Sequence, residues 1–336
     1  MIKLIFFRCG GGVAVLRRLI GGFTMRSPTS DSASETAERL TGILRGYGRV
    51  AVAFSAGVDS TVVAKAAFLA VGDSAVAVTG TSASLADGEL EQARDLAARI
   101  GIRHVIVETS ELSDPRYVRN ASDRCYFCKT ELYTQLAGRT AELGVDVIVN
   151  GANLDDRGDY RPGMLAAGEH AVRSPLIEAG LDKAGVRQLA QFWGLPVWNK
   201  PATPCLSSRI AYGVEVTPER LRRVDRAETF LKAEFGLREL RVRSEANGLA
   251  RIEVPTGSIA MMLQPAARQR ISEELRALGF RCVTVDLEGL RSGSLNDVIP
   301  TDQLRRFNIA TQDGYSRPHC SQTCQTVELG TSSPAD

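Results

Sequence analysis

Apolar positions in this chain alternate between two rhythms. Residues 49–54 (RVAVAF), 75–79 (AVAVT), 104–107 (HVIV) and 145–150 (VDVIVN) are short, apolar runs of strand length. Between them, residues 59–70, 86–100 and 129–143 read as helices, and in 86–100 Leu90, Ala93, Leu96, Ala97 and Ile100 share one side. Strands without a polar face are covered on both sides, and strands alternating with amphipathic helices form a parallel sheet. The predicted fold is therefore α/β, a parallel sheet with helices on both faces, over residues 35–200.

The order then changes. A helix is predicted over residues 183–193, closed by Gly194 and Pro196, followed by a Pro-rich connection over 198–216. After Pro218 come a helix to about residue 234, strands at 239–243 and 250–254, a helix at 265–278 and a strand at 281–285. These elements predict a smaller α+β domain over residues 201–296. Residues 27–36 (SPTSDSASET) read as a linker or helix cap. Residues 1–34 are expected to be a flexible extension; their apolar start is broken by Arg, and a non-structural lead with Met25 as the true start is favoured over a targeting segment. Residues 297–336 are expected to form a disordered polar tail.

Composition narrows the function classes. Hydrophobic residues at 44% and charged residues at 24% are ordinary for a soluble globular protein, and a formal charge of +2 supplies no field demanding nucleic acid. No run reaches the roughly 18 apolar residues of a membrane span. The cysteines, Cys9, Cys125, Cys128, Cys205, Cys282, Cys320 and Cys324, are odd in number, which argues against a secreted disulfide framework. A reducing, cytoplasmic compartment is expected.

The sharpest local signal follows the first predicted strand. Ser55, Ala56, Gly57, Val58, Asp59 and Ser60 lie between that strand and a predicted helix, where a parallel sheet places its ligands. A helix start offers unpaired N–H groups and a partial positive charge. Small residues let the backbone wrap a phosphate, Ser55 and Ser60 add hydroxyls, and Asp59 suits Mg2+ or a helix cap. The GxxxxGK[ST] loop is excluded because its Lys is missing. The segment resembles the SGGxDS loop of the PP-loop (N-type) ATP pyrophosphatases, which implies binding of the pyrophosphate end of ATP. Ala56 stands in place of the first Gly, and its methyl group is expected to require a negative φ. An ordinary Ser/Asp helix cap is the competing reading.

Two more segments fit nucleotide binding. Thr79, Thr81 and Ser82 end the second strand, where the same resemblance implies an adenosine pocket. Gly151, Asn153 and Asp156, in GANLDD, bring small residues and carboxylates to the same rim, or form a plain Asx turn. Arg161, in DYRPG, could meet a phosphate or a carboxylate.

Cys125 and Cys128, in RCYFCK, form a CxxC at a predicted helix start with basic neighbours, a setting expected to lower thiol pKa. Cys205 lies in KPATPCLSSR, with Arg209 within reach. Four readings stand: structural zinc, which wants a fourth ligand; a redox pair; unrelated buried thiols; or an iron–sulfur cluster on three thiolates with one iron open. His319 and Cys320 with Cys324 make a poorer metal site.

The phosphate loop, RCYFCK, GANLDD, GDYRPG and the stretch SPLIEAGLDKAGVRQLAQFWGLPVWNKPATPCLSSRIAYG together resemble the LarE family of PP-loop sulfurtransferases, over about residues 35–290. The resemblance implies that ATP adenylates a carboxylate of pyridinium-3,5-biscarboxylic acid mononucleotide, releasing pyrophosphate, and that sulfur then displaces AMP. This serves the nickel-pincer nucleotide cofactor of lactate racemase. It implies Cys205 as the sulfur-bearing position and, with Cys125 and Cys128 present, the [4Fe-4S] variety that needs a sulfide donor. Ser208 and Arg209 are implied to touch substrate, Arg241 and Arg243 to hold the nucleotide's phosphate, and Glu253 to sit near metal or substrate. Tyr126 could stack on the pyridinium ring. A homo-oligomer is implied. The competing functions are another PP-loop enzyme, such as a tRNA thiolase or an NAD or GMP synthetase, and a non-catalytic nucleotide binder in which Ala56 is the lesion.

Overall fold

The computed structural model describes residues 32–158, 161–291 and 293. The expected tail, nearly all of the expected extension, and Cys9, His319, Cys320 and Cys324 lie outside the described residues.

The first half is built on four parallel strands, β1 (Val50–Ala53), β2 (Ala75–Thr81), β3 (Arg103–Glu108) and β4 (Val147–Val149), in the order β3-β2-β1-β4. Alternate side chains of each strand point to opposite faces. Val50 and Val52 join one buried cluster with α1 (Ala33–Tyr47), α2 (Val58–Val71), α3 (Glu89–Ile100) and the later α9. Ala51, Val76 and Val78 join another, which takes Tyr133 and Leu136 from α5 (Arg124–Ala137) and Ala166 and Ala167 from the later α7. Both faces are thus dry, which is why these strands read as unbroken apolar runs.

Helix α1 was not among the expected elements. Its start lies within the stretch read as linker or cap: Ser32 and Glu35 form a reciprocal capping box, and Leu40 and Leu44 are buried. After β3 the chain forms a short helix α4 (Pro115–Val118) before α5. The helix expected over 129–143 begins earlier and breaks at Gly138, leaving a separate turn, α6 (Thr140–Leu143). Beyond β4 come α7 (Pro162–Glu169), α8 (Pro175–Glu178) and α9 (Lys183–Phe192).

The second half packs α10 (Pro218–Phe235) and α12 (Pro265–Ala277), with the short α11 (Ile259–Met262), against β5 (Arg241–Ser244), β6 (Leu249–Glu253) and β7 (Cys282–Val285). Strands β5 and β6 pair antiparallel and β6 and β7 parallel, so this smaller sheet is mixed. Its apolar cluster continues onto the first half: Tyr117 of α4 is part of it, and Phe127 and Cys128 of α5 pack against it. Among the described residues no helix is long and apolar enough to cross a membrane.

Candidate active site

The carboxyl ends of β1, β2 and β4 form one rim. At β1, the chain turns through Ser55, Ala56 and Gly57 into α2. Gly57 caps that helix without any side-chain hydrogen bond, so the Ser/Asp cap reading does not hold. Instead the side chains brace the loop from within. Ser60 Oγ accepts from the Ser55 N–H at 3.2 Å, lies 3.2 Å from Ser55 Oγ, and donates to the Gly57 carbonyl at 3.2 Å. Val58 is buried at the helix start. Ala56 corrects an expectation: it is fully buried and its φ is +56°, not negative. The loop keeps the left-handed shape that a glycine would take, at a steric cost of about 1–2 kcal/mol.

The GANLDD loop after β4 lies directly on this turn. A Cβ on Gly151 would stand 2.8 Å from Ser60 N and 3.1 Å from the Asp59 carbonyl carbon, so only glycine permits the approach. Asn153 is buried and donates to Asp59 Oδ1 at 3.0 Å, while its own N–H reaches Asp156 Oδ2 at 3.1 Å. Burial pushes the Asp59 carboxyl above the ordinary carboxylate range, with the charge of Asp156 adding to the rise and Asn153 opposing it. Asp156 Oδ1 is buried and accepts no hydrogen bond; the Arg161 guanidinium stands 3.0 Å away as an ion pair. Two adjacent carboxylates, Asp59 and the Arg161-paired Asp156, beside this turn are oxygen donors of the kind a hard divalent cation takes.

At the end of β2 the expected nucleotide contacts divide. Thr79 is buried, with its hydroxyl donated to the Phe54 carbonyl and 2.8 Å from His104 Nε2, so it ties the strand ends together. Thr81 closes the strand at the rim, and Ser82 begins the loop beyond it. Ser82 and Ser84 both donate to Glu111 Oε1, Ser84 at 2.9 Å. Glu111 is buried, and its second oxygen has no partner; the sequence reading missed it.

The cysteines approach this rim from both halves of the chain. Cys125 and Cys128 occupy the first turn of α5, and Cys205 precedes a turn whose Leu206 N–H donates to the Ser84 carbonyl at 2.9 Å. Desolvation pushes the Cys128 thiol well up, and the charges of Cys205, Glu111 and Cys125 push further while Lys129 opposes. The expected lowering by basic neighbours is therefore reversed at Cys128, because burial outweighs them. Among the described residues no three His, Cys, Asp or Glu side chains stand in a metal-holding group. Tyr126, between the cysteines, donates its hydroxyl to Glu169 at 2.6 Å and packs edge-on against Phe127.

The Cys205 turn is anchored by groups the sequence reading did not single out. Asn120, buried with φ +57°, donates to the carbonyls of Ile210, Ala211 and Val214. Arg124, also buried, donates to Asn120 Oδ1 at 2.6 Å and to the Ser207 carbonyl at 2.7 Å. Tyr117 and Ser207 share a 2.6 Å hydrogen bond. Ser208 Oγ donates to the Cys205 carbonyl at 2.7 Å and is half-buried, while Cys205 itself is exposed.

The arginines expected at substrate face largely inward. Arg209 is buried, paired with Glu228 at 2.9 Å, and it donates to the carbonyls of Pro204 and Cys205; it holds the turn. Arg243 makes a buried two-pronged pair with Glu253 at 3.0 and 2.8 Å and donates to the Ser208 carbonyl. Glu253 also accepts from Arg251 at 2.7 Å. Arg241, two residues before Arg243, is half-buried, and burial followed by the charges of Arg243 and Arg209 lowers its pKa.

Comparison with known proteins identifies the family. No protein-family model matches the chain. It is 48% identical over 251 residues, 75% of its length and 93% of the relative's, to the uncharacterized protein slr1717 of Synechocystis sp.. To the tRNA-specific 2-thiouridylase MnmA of Azorhizobium caulinodans it is 30% identical over 46% of its own length and 49% of the relative's. It is 39% identical over 269 residues, 80% of its length and 96% of the relative's, to the pyridinium-3,5-bisthiocarboxylic acid mononucleotide synthase of Lactiplantibacillus plantarum. An identity of that size over four-fifths of this chain and nearly all of the relative places this chain in the LarE family, the family of that synthase.

Proposed function

We propose that the chain is an ATP-dependent sulfurtransferase that converts carboxylates of pyridinium-3,5-biscarboxylic acid mononucleotide to thiocarboxylates, a step toward the nickel-pincer nucleotide. The product named for the Lactiplantibacillus relative carries sulfur on two carboxyl carbons. A carboxylate is a poor electrophile, so its oxygen must first be made a leaving group. The carboxylate oxygen attacks the α-phosphorus of ATP and pyrophosphate leaves; sulfur then attacks the acyl carbon and AMP leaves.

One observation carries this reading: Leu206, next to Cys205, is hydrogen-bonded to Ser84 on the rim that also bears the phosphate loop. Sulfur delivery and adenylation require one shared acyl carbon, and these two segments meet along one sheet edge. In this reading Ser55 and the turn from Gly57 to Ser60 receive the pyrophosphate end of ATP. Thr81 and Ser82 border the adenosine. Asp59, with Asp156 beside it, would hold Mg2+, which offsets phosphate charge. Arg161 and Arg241 meet anionic groups of the nucleotides, Tyr126 flanks the pyridinium ring, and Ser208 lies beside the sulfur position. Residues 35–200 serve ATP and lend Cys125, Cys128 and Tyr126 to the sulfur site, which residues 201–296 complete.

We propose further a [4Fe-4S] cluster on Cys125, Cys128 and Cys205; what favours it is that Cys128 feels the charges of both other thiols, while as they stand the three do not form a metal-holding group among the described residues. When bound, such a cluster supplies an iron position free of protein sulfur. The chain's own part is to hold Cys205 in a turn fixed by Arg209, Asn120 and Arg124. The test is anaerobic purification with iron and sulfide analysis, followed by incubation with ATP and the dicarboxylate. Thiocarboxylate formation that is lost in Cys205→Ala, together with iron lost in Cys125→Ala and Cys128→Ala, is the expected result. Acceptor-independent ATP hydrolysis with no sulfur incorporation would overturn the reading.

A further inference from the structure

Glu111 opens the turn Glu111–Ser113, two residues beyond the point where the Thr109 N–H donates to the Thr81 carbonyl at the ends of β3 and β2. Its side chain turns back to the loop that follows β2. Ser82 and Ser84 both donate to Oε1, and the Ser84 N–H donates to Ser82 Oγ at 3.1 Å. Oε2 is buried and has no partner among the described residues. An unpaired buried oxygen costs stability, so an apolar side chain of similar size would serve the fold at least as well. A carboxylate at this place calls for a reason beyond folding.

The loop that Glu111 holds also carries the sulfur turn. The Ser84 carbonyl accepts from the Leu206 N–H at 2.9 Å, and Leu206, itself buried, directly follows Cys205. Tyr117, Arg124 and Arg209 anchor that turn from elsewhere, on Ser207 and on the Cys205 carbonyl. The Ser84 bond instead ties it to the end of β2. A chain of contacts therefore runs from Glu111 through Ser84 and Leu206 to Cys205. Ala86 in the same loop and Leu112 next to Glu111 pack against the apolar cluster of the second half, so this clasp lies where the two halves of the chain join.

We infer that Glu111 is a positioning residue, which locks the Ser82–Ser84 loop so that Cys205 stays in register with the acyl adenylate formed at the rim. The inference rests on the sulfur-transfer reading and adds the group that ties its two steps together. What it controls is coupling. Sulfur attacks the acyl carbon of the adenylate, AMP leaves and a thiocarboxylate forms. Water attacking the same carbon also releases AMP, but regenerates the carboxylate and wastes the ATP. A misplacement of about 1 Å can slow a positioned reaction about a hundredfold, and water then takes the adenylate.

The experiment compares full-length wild type with Glu111→Leu, which fills the space without an acceptor, Glu111→Gln, which keeps an acceptor oxygen, and Ser84→Ala. Hydrogen exchange at the Leu206 amide needs no turnover, and it is expected to quicken about tenfold or more in Glu111→Leu through local opening. The amides of Thr61 and Val62 in α2 should not change. AMP released per thiocarboxylate is expected to rise about tenfold or more, with ATP–pyrophosphate exchange within about twofold of wild type and the thermal midpoint held. Glu111→Gln is expected to restore both readouts. Ser84→Ala should move them in the same direction as Glu111→Leu, and it carries the test where Glu111→Leu does not fold. Leu206 exchange at the wild-type rate in a folded variant overturns the inference. So does a fall in midpoint with pyrophosphate exchange and thiocarboxylate lost together, which assigns Glu111 to stability. A wild-type chain that makes no thiocarboxylate defeats the sulfur-transfer reading, and Leu206 exchange then decides by itself whether Glu111 holds the turn.

Discussion

Asn153 donates its side-chain N–H to Asp59 Oδ1 across 3.0 Å, so the loop after β4 and the first turn of α2 share one half-buried carboxylate. Burial, with Asp156 nearby, holds the folded-state pKa of Asp59 above its unfolded value. Between those two values the folded state binds more protons than the unfolded one, so stability falls as pH rises through that window. At neutral pH the ionised Asp59 therefore opposes folding, and Asp59→Asn keeps the Oδ1 acceptor while removing the charge. Asp59→Asn is expected to raise the thermal midpoint at neutral pH, and the gain should vanish below the ordinary carboxylate pKa of about 4. Adenylation should be lost in the same variant, as the proposed role of this carboxylate in holding the cation requires. Thermal unfolding across pH, paired with ATP–pyrophosphate exchange, checks both halves.

How far the sequence was legible follows from which forces act locally. The strands β1 to β4 and helices α2, α3 and α9 could be read because a doubly covered sheet leaves an apolar record in every strand. Helix α1 could not, since only Leu40 and Leu44 and a few small residues mark its buried face within a polar stretch. The phosphate loop and GANLDD were legible as a pair, and the glycine contact between them explains why both carry small residues. The partners of the arginines were not legible for a different reason. Arg209 finds Glu228 nineteen residues on, and Arg243 finds Glu253 across the β5–β6 pairing; such partners are set by tertiary packing. Cys128 was misjudged because desolvation, which outweighs its basic neighbours, leaves no trace in a six-residue motif.

Ala56 decides whether the phosphate loop is damaged. Restoring glycine would relieve about 1–2 kcal/mol of left-handed strain. It would also lose a buried methyl, about 0.8 kcal/mol, and loosen the unfolded chain by about 0.4–1 kcal/mol. These nearly cancel, so Ala56→Gly is expected to leave the thermal midpoint almost unchanged and ATP–pyrophosphate exchange within about twofold. Ala56→Val, which puts a branched side chain at φ +56°, should lose both stability and exchange. A large gain of exchange in the glycine variant would mark the loop as defective as it stands.

Gly151 tests the contact between the two loops. An added methyl there meets only backbone atoms, Ser60 N at 2.8 Å and Ser60 Cα at 3.1 Å among them, and backbone cannot swing aside as a side chain can. Gly151→Ala should cost about 1–3 kcal/mol through overpacking and should weaken ATP more than it weakens the acceptor. Separate titrations of the two substrates, with denaturant unfolding, distinguish this from a general loss of fold.

Asn120 tests the other side of the site. Its side chain joins three carbonyls of the segment after Cys205 to Arg124 on the cysteine helix, and its φ of +57° is one that asparagine tolerates and alanine resists. Asn120→Ala leaves those carbonyls and one guanidinium nitrogen without their partner, in a place water does not reach. A loss of about 3 kcal/mol or more is expected. Because Asn120 touches nothing in the phosphate loop, the catalytic loss should fall on thiocarboxylate formation more than on ATP–pyrophosphate exchange. Asn120→Asp keeps the shape and the acceptor for Arg124 but removes the donors to Ile210, Ala211 and Val214. If the turn is what positions Cys205, this variant should keep exchange and lose sulfur delivery, whereas equal loss of both activities would assign Asn120 to general stability alone.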